Sequence, residues 1–77
     1  MTIKIKDLRL HYDTAVIYQD KGLLRLCYDS FRTYYLEYFT SSLDISGFAK
    51  LYGISVELAD WVIGMGKELM QYRNVLK

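Results

Sequence analysis

The chain has 77 residues, ten basic and nine acidic side chains, a net charge of +1 and 52% apolar content. That composition describes one folding unit, too apolar to be disordered and too nearly neutral to gather nucleic acid, anionic membrane or acidic substrates by a long-range field. A lone cysteine, Cys27, excludes an internal disulfide and a cysteine-based zinc site.

Lys4, Lys6, Asp7 and Arg9 break up the N-terminus, so no signal-peptide core is present. Charges interrupt every apolar run well short of the roughly 18 to 20 residues that span a membrane, and a soluble, cytoplasmic protein with no membrane association is expected. Ile3 and Ile5 alternate with Lys4 and Lys6 as in an edge strand, and Asp7 then starts Leu8, Leu10 and Tyr12 on a shifted register, by a bulge or a helical turn.

From Ala15 to Tyr28, two β-prone runs flank Asp20-Lys21-Gly22, where the glycine can supply the positive φ of a hairpin loop. A helix from Gly22 to Phe39 competes with this reading, because Leu24, Cys27, Phe31, Tyr34, Tyr35 and Tyr38 recur at three- and four-residue spacing. β-branched Val16 and Ile17 favour a strand before the glycine, and Ser30 suits a helix N-cap, which puts the switch near Asp29. The expected fold class is therefore α+β. Residues 1–28 form a small hairpin or three-stranded sheet, and residues 30–77 form three helices, Ser30 to Thr40, Ile45 to Tyr52 and Val56 to Leu76.

Nothing in the chain marks a boundary: it has no proline, repeat or linker, so residues 1–77 read as one domain. Eight of its twelve aromatic residues are tyrosines, and six of the twelve lie between Tyr28 and Phe39. They read either as a core of half-buried rings or as an exposed docking patch.

Within Asp44 to Gly64, DISGFAKLYGISVELADWVIG, Phe48 and Tyr52 give a first helix its inner face. Ala49 permits close approach, Gly53 can adopt a left-handed turn, and Ile54 plugs the corner. Ser55 can cap a second helix, Glu57 sits in its positive first turn, and Ala59 and Val62 point back at the first. This segment resembles the helix-turn-helix superfamily, and FAKLYGIS followed by ELADWVI also looks like small proteins of Gram-positive phages and mobile elements.

The resemblance implies that Ser55, Val56, Glu57, Asp60, Trp61 and Gly64 face outward, toward a major groove. None of the six is basic, and residues 41–66 hold one lysine, Lys50, against Asp44, Glu57 and Asp60. Base reading and phosphate anchoring use mainly Arg, Lys, Asn and Gln, so these acids oppose DNA. The face instead offers Trp61 with Val56, rimmed by Glu57 and Asp60, a composition suited to a protein partner. The competing reading packs Trp61 beneath the N-terminal sheet.

Leu58, Val62, Met65, Leu69, Tyr72 and Leu76 make a seam averaging 3.5 residues, which suits packing inside the molecule or a homodimer through the C-terminal helix. Gly64 and Gly66 interrupt that helix, where it can bend or let another backbone approach closely. His11 is the only histidine, no nucleophile elbow or phosphate loop is present, and Glu57 with Asp60 reads as a solvated pair. Catalytic residues, metal sites and cofactors are accordingly not expected.

The function expected is that of a nonenzymatic interaction module, a phage- or mobile-element-type regulator or inhibitor of a host protein. It would bind its partner through Val56, Glu57, Asp60 and Trp61. The alternative is a dimeric helix-turn-helix transcription regulator that contacts DNA through Ser55, Lys50, Lys67 and Arg73.

Overall fold

The computed structural model describes residues 2–75, with side chains as far as Gln71. A 3-10 turn, Ile5–Asp7, leads into α1 (Leu8–Ile17), α2 (Lys21–Thr40), α3 (Ile45–Tyr52) and α4 (Val56–Val75). Among the described residues no strand forms, so the α+β expectation is overturned. The N-terminal hairpin or sheet is replaced by a pair of helices, α1 and α2.

The reversal near residue 20 explains the change. Gly22 lies in the first turn of α2, and the left-handed residue is Gln19, with φ 52°. The Gln19 amide donates to the Val16 carbonyl (3.4 Å) and the Asp20 amide to the Ala15 carbonyl (2.9 Å), which closes α1 as a Schellman motif. The Asp20 carboxylate then accepts from the Leu23 amide at 3.1 Å and starts α2. Local capping and the helical spacing of buried Leu8 and Ala15 with half-buried Tyr12 override the β-propensity of Val16 and Ile17, both of which stay exposed.

Ser30 is not an N-cap. It lies fully buried in mid-α2, where its hydroxyl donates to the Leu26 carbonyl at 2.8 Å and accepts from the Ile3 amide at 3.0 Å. One turn on, the Tyr34 hydroxyl donates to the Ile3 carbonyl at 2.7 Å. The alternation of Ile3 and Ile5 with Lys4 and Lys6 is thus real, with the isoleucines buried and the lysines exposed. The segment pairs with side chains of α2 in place of another strand.

The α3–α4 joint follows its local signals. The Asp44 carboxylate accepts from the Gly47 amide (2.8 Å) to cap α3, and Gly53 takes the left-handed conformation at φ 66°. The amides of Gly53 and Ile54 return to the carbonyls of Lys50 and Ala49, a second Schellman closure. Ser55 caps α4 by accepting from the Leu58 amide at 3.1 Å.

Helix α2 is the centre of the molecule and packs most extensively on α4. Gly66 is what lets the two meet: a Cβ there would fall 2.5 Å from the Phe31 carbonyl oxygen and 2.5 Å from the Tyr35 Cβ. Phe31, Phe48, Leu8, Val62 and Cys27 fill the interior. Around them, Tyr12, Phe31 and Trp61 from α1, α2 and α4 meet edge to face with centroids 5.2–5.7 Å apart. A second run of rings, Tyr34 on Tyr52, Tyr52 on Phe48 and Phe48 on Tyr38, joins α2 to α3.

Of the C-terminal seam, Val62 is buried and Leu58, Met65 and Leu69 pack against the core, so this part is used within the molecule. The side chain of Tyr72, and Leu76 entirely, lie outside the described residues. Most tyrosine rings of α2 join the packing, whereas Phe39 remains 72% exposed.

Candidate functional site

With Ala59, Val62, Ile63 and Gly66 turned toward α2 and α3, the 3.6-residue period directs Val56, Glu57, Asp60, Gly64, Lys67, Glu68 and Gln71 outward along α4, and all seven are exposed. Three of the four residues expected to bind a partner, Val56, Glu57 and Asp60, therefore share one accessible face. Val56, 47% exposed, is its apolar entry.

Trp61 stands at the border of that face, half-buried. Its ring packs on Tyr12 and Phe31, so its support is a pair of helices and not a sheet. The Arg9 guanidinium from α1 lies 5.4 Å from the indole centroid, in cation–π contact. The remaining edge of Trp61 lines a shallow groove with Asp60, Gly64, Met65 and Glu68, and an adjoining depression extends it past Met65 and Glu68 to Tyr28 and Leu69.

The groove adds Glu68, which no motif singles out, and it draws Met65 and Leu69 from the C-terminal seam and Tyr28 from the aromatic run of α2. The signal for the α4 residues is positional: Asp60, Gly64 and Glu68 repeat at four-residue spacing, and Trp61, Met65 and Leu69 form the neighbouring row. Tyr28 comes from another helix and has no such signal.

The residues of the DNA-binding alternative do not converge in this way. Lys50 is exposed in the last turn of α3 and Lys67 midway along α4, while the Ser55 hydroxyl is engaged with the Leu58 amide. The Arg73 side chain lies outside the described residues. On the outer face of α4 the acids Glu57, Asp60 and Glu68 outnumber Lys67, an arrangement that repels phosphate.

Burial pushes the Cys27 thiol above its ordinary pKa, which keeps it a neutral apolar side chain. Desolvation, with the carboxylate of Glu37 as its hydrogen-bond acceptor, pushes Tyr52 up to about 12. Tyr12 and Tyr34 are raised in the same sense, chiefly by burial. His11 is half-buried on α1, and among the described residues no three His, Cys, Asp or Glu side chains gather as a metal-holding group. Among those residues no helix is long and apolar enough to cross a membrane.

Comparison with known proteins returned no match: no family model, curated protein or solved structure aligns with the chain.

Proposed function

We propose that the protein is a nonenzymatic interaction module that docks onto another protein through the outer face of α4, in the manner of a small regulator or inhibitor. The observation that carries this reading is the placing of exposed Val56, Glu57 and Asp60 beside the half-buried Trp61, an apolar and aromatic patch with a charged rim. Its ring packing presents the Trp61 edge in one orientation, so little side-chain freedom is lost on contact.

Because Trp61 also supports the core, the rim is the better probe. The pair E57K/D60K should lose a partner captured from the source cells, whereas D13K, a reversal on α1, should retain it. Equal recovery by both variants removes the reading.

A second reading, a dimeric DNA-binding regulator, draws on the left-handed Gly53 turn between α3 and α4 and on exposed Lys50 and Lys67. It requires specific retention of a DNA fragment with affinity that falls steeply as salt rises. Absence of DNA binding at low salt eliminates it.

A further inference from the structure

The two glycines of α4 stand in opposite surroundings. Gly66 is required by the α2 backbone against it, but a Cβ at Gly64 would meet nothing within 4 Å. Gly64 therefore weakens its helix without serving any contact inside the molecule. What it does provide is a notch, flanked by Asp60 one turn before and Glu68 one turn after, about 12 Å apart along the axis at 1.5 Å per residue.

Beside this notched acidic row runs an apolar one, Trp61, Met65 and Leu69, with Tyr28 of α2 as the far wall. Among the described side chains, which end at Gln71, no cation pairs with Asp60 or Glu68, and the ion pair found there joins Arg32 to Asp29. The indole already takes one guanidinium, that of Arg9, on its ring. Carboxylates with no ion-pair partner among the described side chains, the edge of an indole, and an opening where a side chain is missing occur together on two turns of one helix.

We infer that this groove receives a basic amphipathic helix of a partner protein. One Lys or Arg of the partner enters the notch at Gly64 between Asp60 and Glu68, and adjacent apolar side chains lie on Trp61, Met65 and Leu69. This rests on the docking reading above and adds the chemistry of the occupant. Charge complementarity selects it: an acidic segment or a phosphate backbone meets two carboxylates, and a wholly apolar segment leaves both facing hydrocarbon. A helix is the matching shape, because a glycine at a crossing point lets two helix axes approach closely and the groove follows α4 over two turns.

The test is calorimetric titration of the intact protein with a synthetic amphipathic helical peptide of lysine and leucine, and with its counterpart carrying glutamate for lysine. The lysine peptide should bind and the glutamate peptide should not. D60K and E68K should each weaken binding by about fivefold, the upper range for one exposed ion pair, whereas D13K, with the same net charge, should leave affinity within about twofold. G64Q should fill the notch and weaken binding while raising the thermal midpoint, which shows that the fold is intact.

Equal binding of the two peptides, or a lysine-peptide affinity indifferent to D60K, E68K and G64Q, overturns the inference. So does sedimentation of the free protein as a dimer that D60K dissociates, because the occupant is then a second copy. A captured partner that is lost on E57K/D60K but not displaced by the lysine peptide refutes the basic occupant and leaves the docking reading intact. Capture indifferent to every α4 variant refutes both.

Discussion

At position 66 the carbonyl of Phe31 stands where a methyl group would go, and at position 64 there is only open space. The same substitution should thus have opposite signs two residues apart. Gly64→Ala should stabilise the protein by about 0.5–1 kcal/mol through helix propensity. Gly66→Ala should destabilise it by about 1–3 kcal/mol, because α2 and α4 must separate to admit the Cβ. Urea unfolding of the two variants beside the parent protein measures both. The sequence displays two glycines in one helix and allows for close approach, yet it cannot say which glycine meets a neighbour, since Phe31 and Tyr35 lie some thirty positions away in the chain. Ser30 departs from the N-cap expectation for a related reason: a hydroxyl that caps a helix and one that holds a distant backbone amide look identical until Ile3 is in place.

Helices α1 and α2, like α3 and α4, are joined by a Schellman closure followed by a side-chain N-cap, built once on Gln19 and Asp20 and once on Gly53 and Ser55. The second joint was legible because its left-handed residue is glycine and its cap precedes a clear helical stripe. The first was hidden because Gln19 has no sequence signature for positive φ, while Val16 and Ile17 advertise a strand that has no pairing partner among the described residues. A non-glycine residue in that conformation carries strain of about 1–2 kcal/mol, partly offset by the lower entropy of its unfolded state. Gln19→Gly should accordingly raise stability by about 0.5–1 kcal/mol, and Gly53→Gln should lower it by a similar or larger amount, both read as thermal midpoints. The candidate docking face was legible to the same extent as the joint that orients it: Val56, Glu57 and Asp60 follow from where α4 begins, whereas Tyr28 depends on how α2 packs.

Across the whole molecule, titration links burial to pH. Tyr52 has a folded-state pKa of about 12, against about 10 for an unperturbed tyrosine. The folded protein holds this proton more tightly than the unfolded chain does, so the associated stability is fully present below about pH 10 and disappears as pH rises through about 12. Tyr12 and Tyr34 are shifted in the same direction, which adds to the alkaline sensitivity. The thermal midpoint should decline between about pH 10 and 12, and Tyr52→Phe should show a shallower decline over that window. Equal slopes for the two proteins would mean that Tyr52 is not among the groups responsible.

The meeting of Tyr12, Phe31 and Trp61 also has an optical consequence. The chain holds one indole and eight phenols, and the indole sits where α1, α2 and α4 touch. Light absorbed by Tyr12, 49 positions away in the chain, can pass to Trp61 because the fold brings the two rings to 5.7 Å, centroid to centroid. Emission from Tyr12 is therefore suppressed in the native protein and released when α1 parts from α4, a built-in signal of assembly that needs no added label.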